Sequence, residues 1–334
     1  MDTKNSKKST ISGSQSPRNS PKLIDPESVG EDSVVSIPLE VIPQDMPLPY
    51  PIYVRITDRL ILFRPLGDKL TPERALSLKK AGVDSVLVPR ICWEDYFEFF
   101  ESNTGAGLTD AESAIIRLRH LLLGYHQYLE RRRELEREHI EKFKTLGAKL
   151  AATLRDDPNI GAKLLRRYNE KKLYFVNHSV NVAIYSAAVA HKLKLGIQDV
   201  KLLTFASLVH NVGNMFVPEE ILYKPGRLSA EEWEVMKTHP LKGATLLDRF
   251  SIQKEVILTT LQHHERMDGE GYPTKRKGKE IHLFAKIVTI ADVFDALTNH
   301  SPYQSAGFPH YAVEKMRAMV GKFDNQILNM LEKT

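Results

Sequence analysis

The sequence predicts a mainly α protein: an all-helical C-terminal domain, preceded by a small α/β domain and a long connecting helix. Three observations predict it. Apolar residues recur at helical spacing throughout the chain beyond Asn159, as in Val180, Ala183, Ile184 and Ala187. Ile52, Val54 and Ile56 alternate with Tyr53 and Arg55, a strand pattern. Between these regions lies a stretch running to about Arg155, opened by the capping box Thr109-Asp110-Ala111-Glu112 and rich in both charge signs.

Taken in order, residues 1–40 are rich in Ser, Lys, Asn and Pro with almost no aromatics. They bury too little apolar surface to offset the entropy of ordering, so a disordered tail is expected. Residues 41–105 read as a small α/β regulatory module. Its strands are Ile52 to Ile56, Leu60 to Phe63 and Ser85 to Val88, with Thr57-Asp58-Arg59 as a turn. Thr71-Pro72 is a helix start, Thr as N-cap and Pro in the first turn, and Gly82 ends that helix. Trp93 to Phe100 reads as a short helix. Residues 106–157 read as the connecting helix, a candidate element for homodimer pairing, and Asp156-Asp157-Pro158 breaks it. Residues 158–334 form the helical domain. Within it Leu202, Phe205, Ala206 and Val209 make a second apolar stripe, and Ser229-Ala230-Glu231-Glu232 is a second capping box.

Bulk composition narrows the function. The formal net charge is +5, and the run Arg131 to Glu138 mixes both signs, which reads as a solvated helix face rather than a nucleic-acid patch. Cys92 is the single cysteine, so no internal disulfide forms and a reducing cytoplasm is the expected setting. No run approaches the roughly 20 apolar residues that span a bilayer, and the N-terminus lacks the apolar core of a secretory signal.

The chemistry concentrates late in the chain. Nine of the twelve histidines lie at or after His178. His210-Asn211 closes one helical stretch, His239-Pro240 opens another, and His263-His264-Glu265 ends a third. Asp292 lies inside Ile287-Val288-Thr289-Ile290-Ala291-Asp292-Val293-Phe294, where a carboxylate is costly to bury unless it is paired, hydrogen-bonded or bound to a metal. Imidazole and carboxylate together suit Fe, Mn, Zn or similar divalent ions. Two such ions about 3.5–4 Å apart clamp a phosphodiester and activate water. His191, His282, His300 and His310 read as surface residues.

The order and spacing of these segments resemble one family. Val209-His210-Asn211-Val212-Gly213-Asn214 resembles the HD signature of the HD superfamily. Ile221 to Leu228 is similar to the loop that follows it in HD-GYP proteins, and His263 to Pro273 is similar to the HHE-x-x-DG-x-GYP signature. Ala291 to Thr298 resembles the closing metal helix. The resemblance covers about Asn159 to Leu331. It implies divalent-metal ligands at His178, His210, Asn211, His239, His263, His264 and Asp292, and hydrolysis of cyclic di-GMP by a hydroxide held on the metal. Lys224 and Arg227 read as basic groups near the cleft and, with Tyr303, as candidate substrate contacts, the alternative for the two basic residues being a solvated loop. The resemblance gives the Gly271-Tyr272-Pro273 loop a role in protein partner contacts and in shaping the site. The module at 41–105 is similar to the small regulatory domain that precedes some HD-GYP domains.

Four positions depart from the family pattern. Asn211 replaces the aspartate that bridges both metals, removing the negative charge that offsets their repulsion and favouring one ion over two. Asn214 replaces a lysine expected at the substrate phosphate. Ser301-Pro302-Tyr303-Gln304 replaces an Arg-Pro-Tyr-Arg segment. Tyr174 replaces the glutamate that holds a third metal in some members. The first three losses predict a degenerate phosphodiesterase, with Asn211 and Asn214 as the altered catalytic positions, acting mainly as a metal-binding scaffold or partner-binding module. An active cyclic-di-GMP phosphodiesterase, in which Asn211 still ligates, is the alternative.

Overall fold

The computed structural model describes residues 34–39, 42–56, 59–83, 85–92, 95–96, 99–100 and 103, then 135–156, 165, 174–299 and 308–332. Two compact units divide at Ser102/Asn103. Among the described residues, no helix is long and apolar enough to cross a membrane.

The first unit is a four-stranded antiparallel sheet with one described α-helix and a 3-10 turn (Arg90–Cys92). Its strands are β1 (Val34–Pro38), β2 (Ile52–Ile56), β3 (Arg59–Arg64) and β4 (Ser85–Pro89), in the order β1-β4-β2-β3. Val34, Tyr53 and Leu87 share one face, while Ile37, Ile52, Val86 and Val88 are buried on the other. Helix α1 (Pro72–Lys80) starts as its sequence dictates: Thr71 Oγ1 accepts from Arg74 N at 3.4 Å, and Gly82 follows the last turn at φ +76°. The sheet begins at Val34, inside the stretch read as tail. The run Val34-Val35-Ser36-Ile37 is itself apolar, unlike the polar stretch before it, and β1 pairs with a distant strand, with Val35 facing Val88 and Ile37 facing Val86.

The second unit is helical. Helix α2 (Arg137–Asp156) covers the described part of the stretch read as a connector; its N-terminal portion, with the Thr109 capping box, lies outside the described residues. Ile140, Phe143, Leu146, Leu150 and Leu154 form a buried stripe, so this half of the connector is a layer of the helical domain. It packs on α3 (Tyr174–Lys192) and α4 (Ile197–Val209), so closely that a Cβ on Gly147 would stand 3.0 Å from the Phe205 backbone. Helix α4 is buried almost all round, the mark of a central helix.

A 3-10 turn (Val212–Phe216) and two short helices follow, α5 (Glu219–Leu222) and α6 (Ala230–Met236). Ser229 and Glu232 close the expected capping box at α6. Helices α7 (His239–Asp248) and α8 (Lys254–Gln262) pack together, and α9 (Leu283–Thr298) runs between α3, α8, α10 (Pro309–Ala318) and α11 (Asn325–Glu332).

One crossing sets the spacing of the site. The 3-10 turn after His210 lies against the start of α7, where a Cβ on Gly213 would stand 2.0 Å from the His239 carbonyl oxygen and 2.7 Å from Gly243 N. Backbone meets backbone there with no room for a methyl group. Gly213→Ala should destabilise the helical unit by about 3 kcal/mol, because neither chain can give way without moving a helix. Urea unfolding of the variant against the parent checks this, and an unchanged midpoint refutes it.

Candidate metal centre

Six side chains from five separate segments converge. His178 comes from the first turns of α3, His210 caps α4, His239 opens α7, His263 caps α8 with His264 beside it, and Asp292 lies midway along α9. They form two triads, His178-His210-Asp292 and His239-His263-His264, whose ligand atoms within each lie within 4.8 Å of one another. Asp292 ties the triads together. Its Oδ1 lies 3.0 Å from His178 Nε2 and 4.0 Å from His210 Nε2, and its Oδ2 lies 3.9 Å from His264 Nδ1.

Backbone carbonyls set the tautomers. Nδ1 of His210, His239 and His263 lies 2.6, 2.8 and 2.7 Å from the carbonyls of Ser207, Met236 and Thr260. A carbonyl only accepts, so in the neutral rings each Nδ1 carries the proton and each Nε2 presents a lone pair. The spacing has a local origin: each histidine ends or begins a helix three residues after a carbonyl with no helical partner. His239 Nε2 and His263 Nε2 then face each other at 3.2 Å, lone pair to lone pair. His210 Nε2 and Asn211 Oδ1 are buried without a hydrogen-bond partner. Such an array is unfavourable alone and fits a divalent cation, for which cis ligands on bonds of roughly 2.1 Å stand about 3 Å apart. The donor set is that of Fe, Mn or Zn.

His178 is held from both sides. Its Nδ1 lies 2.8 Å from Asp295 Oδ2, and Asp295 Oδ1 accepts from Asn181 Nδ2 at 2.8 Å and from Asn299 Nδ2 at 2.5 Å. Asp295 therefore aims the His178 ring, the second carboxylate behind a ligating histidine. Burial disfavours a charged His178, but hydrogen bonds and charges from Asp292 and Asp295 outweigh it and raise its pKa from 6.5 to about 10. Burial likewise opposes ionised Asp292, and the His178 hydrogen bond and charge overcome it, holding the carboxyl far below its usual range. The other four imidazoles move down: burial and the neighbouring His178 charge take His210 to about 3, burial takes His239 to about 4, and burial with adjacent rings pushes His263 and His264 well down.

A pH dependence follows. With its folded pKa raised, His178 stabilises the chelated protein fully below about pH 6.5, and that contribution is lost as pH rises through about 10. A cation must displace that same proton. Between those limits metal binding releases one proton from His178, and affinity rises with pH by up to about tenfold per unit. Calorimetry of Mn²⁺ binding near pH 7 in buffers of different ionisation heat should count that proton; no buffer dependence refutes it.

The cleft above the triads encloses about 530 Å³ and is lined by His178, Asn211, Asn214, Arg227, His239, His264, Tyr272 and Asp292 among others. His210 and His263 are wholly buried. Asn214 Oδ1 is buried and without a partner. Lys224, read as a substrate contact, is not among the lining residues. Its ammonium pairs with Glu232 at 2.6 and 2.7 Å, because the capping box turns that carboxylate back toward the loop. Tyr303 and His300 lie outside the described residues. His282 caps α9 by accepting from Phe284 N at 3.2 Å, and His310 is exposed.

The 271–273 loop is built from below. Glu265 accepts from Thr274 N, Thr274 Oγ1 and Arg276 N at 2.7, 2.7 and 3.1 Å. A Cβ on Gly271 would meet Glu265 Cα and Arg266 N at 2.5 Å, so glycine is required. The Tyr272-Pro273 bond is cis, and the Tyr272 ring stacks on His264 at 4.8 Å between centroids. Sequence reasoning missed Asp295 as an orienting group, Glu265 as a loop anchor, Trp233 as a cleft wall and Lys322. Lys322, in the turn between α10 and α11, is half-buried; burial lowers its pKa while the nearby charge of Asp292 opposes that shift. Its sequence neighbourhood carries no motif that flags it.

Comparison with known proteins agrees with this geometry. Residues 162–327 match the family model described as HD domain. A cyclic di-GMP phosphodiesterase of Pseudomonas aeruginosa is 35% identical over 185 residues, covering 55% of this chain and 44% of that protein. The cyclic di-GMP phosphodiesterase response regulator RpfG of Xanthomonas campestris is 40% identical over 148 residues, covering 43% and 39%. The 3'3'-cGAMP-specific phosphodiesterase 2 of Vibrio cholerae is 34% identical over 160 residues, covering 46% and 30%. The chain thus spans less than half the length of these relatives. Among solved structures, Bd1817, an HDG"Y"P protein from Bdellovibrio bacteriovorus, superposes with TM-score 0.64 at 22% identity over 90% of this chain and 98% of that one, a likeness of fold. Motif order, converging ligands and these matches agree: the helical unit of this chain belongs to the HD-GYP family of HD domains.

Proposed function

We infer that this chain binds divalent metal and a cyclic dinucleotide in its HD-GYP cleft, and hydrolyses the phosphodiester slowly. The observation that carries this reading is Asn211, whose neutral Oδ1 is buried and unpartnered where the family has an anionic bridge. A bound divalent ion polarises the phosphodiester and activates water. The protein's own groups supply the rest. Asp292, in reach of both triads, is the one carboxylate of the six converging side chains. Asn211 offers a ligand oxygen without charge, so a pair of ions is bound less tightly than a carboxylate would hold it. Arg227 is the charged side chain of the cleft wall able to meet a phosphate, and Asn214 meets it with an amide instead of a cation. The relatives named for cyclic di-GMP and for 3'3'-cGAMP support a cyclic dinucleotide as the substrate class.

An active phosphodiesterase is the second reading, favoured by the completeness of both triads. Metal content of freshly purified protein, followed by product analysis with Mn²⁺ or Fe²⁺ and cyclic di-GMP, separates the two. Bound metal with slow turnover supports the first. Linear dinucleotide or GMP formed at ordinary enzyme rates, on the order of 1–10³ s⁻¹, supports the second. Protein that takes up no metal defeats both.

A further inference from the structure

The cleft has two unlike halves. One is the histidine and asparagine cluster around Asp292. The other is an apolar shelf of Leu222, Leu228, Trp233 and Met236. The shelf is built rather than incidental. Leu222 is buried with Val217 and Ile221, and Leu228, Val235 and Met236 pack against that cluster. The loop carrying Leu228 is tied to α6 by the Lys224–Glu232 pair and by Ser229 N donating to Glu232 at 2.7 Å. Trp233 stands on this base 43% exposed, an uncommon position for an indole beside a deep cleft. Its ring meets Tyr272 edge-on at 5.9 Å, and Tyr272 in turn stacks on His264. An unbroken aromatic wall therefore runs from the solvent edge of the cleft to the metal cluster.

We propose that the Trp233 shelf is a purine-stacking platform, which grips a cyclic dinucleotide by the face of one base and does not read its edge. The proposal rests on the function argued above and adds the element that confers affinity without choosing between purines. Stacking suits any purine, because every base presents a π face. Discrimination between guanine and adenine needs polar groups placed against the base edge, and an apolar wall rejects neither. Among the described lining residues, Arg227 is the one charged side chain outside the metal cluster. With Asn214 in place of a cation, the phosphates contribute less and the base more. Cyclic di-GMP, 3'3'-cGAMP and cyclic di-AMP should therefore bind with similar affinity.

The chain has two tryptophans, Trp93 and Trp233, so a Trp93→Phe chain leaves Trp233 as the reporter. Each of the three cyclic dinucleotides should quench its fluorescence when added to the Mn²⁺-loaded protein, with dissociation constants within about tenfold of one another. Trp233→Leu in the native background should weaken binding of all three by about ten- to a hundredfold with Mn²⁺ content unchanged, and Trp233→Phe should restore most of it. Calorimetry measures these without relying on turnover. Binding that leaves Trp233 silent and is unaffected by Trp233→Leu overturns the platform and leaves the functional reading standing. So does a preference above about tenfold for one purine. If none of the three binds the metal-loaded parent, that reading falls and the platform with it.

Discussion

Asn211→Asp combined with Asn214→Lys should raise cyclic di-GMP hydrolysis at least about a hundredfold over the parent chain. The first change places a carboxylate where a buried, unpartnered amide oxygen now stands, beside His210 and within the cleft shared by both triads. A carboxylate there adds the negative charge that lets two dications sit close together. The second returns a cation to a cleft position with an unpartnered amide oxygen, where it meets the phosphate with a charge-assisted contact. Losing a single positioned group that stabilises transition-state charge costs about 10²–10³ in rate, so restoring two justifies the lower bound. The variant should also hold more metal per chain. Rate from product analysis and metal content from elemental analysis check both halves. If metal rises and rate does not, catalysis is limited elsewhere, with the Ser301 to Gln304 segment the first place to look.

Asp292→Asn should have the opposite effect and abolish tight metal binding, lowering affinity by more than about a hundredfold. Asp292 is the carboxylate within 3.0–4.0 Å of His178, His210 and His264. Asparagine keeps its shape and removes its charge, so helix α9 should remain folded while the cage loses its anion. Asp295→Asn is the informative companion. It leaves Asp292 in place and removes only the carboxylate behind His178, so the loss should be smaller, about ten- to a hundredfold. Competition with a chromogenic chelator measures both. Equal losses would mean that Asp295 is a ligand in its own right; no loss for Asp292→Asn would remove the cation from this cluster altogether.

Much of the cage was legible in the chain because its ligands sit beside local signals. Asp292 interrupts an apolar helix, where only a partner justifies a carboxylate, Pro240 marks the helix start at His239, and His210 and His263 fall where apolar helical runs end. The capping box at Ser229 announces α6 in the same way. What stayed hidden depends on distant chain. Strand β1 pairs with β4, about fifty residues on. Helix α2 carries its buried stripe among so many charges that it reads as a free connector. The pairing of Lys224 with Glu232 is likewise a matter of where two turns meet. Asp295 and Glu265 follow candidate ligands by a few residues, yet their orienting roles appear only once α3 and the 274–276 segment are in place.

The Gly213–Gly243 crossing bears on how such a protein can change over time. Close backbone contact at Gly213 sets how near the turn after His210 lies to the start of α7, and that contact uses no atom that would touch an ion or a phosphate. Ligands can therefore be exchanged one by one, as at Asn211, while the vessel that held them keeps its form. In a lineage built this way, architecture outlives reactivity, and the shape of the hollow says little about how fast anything turns over inside it.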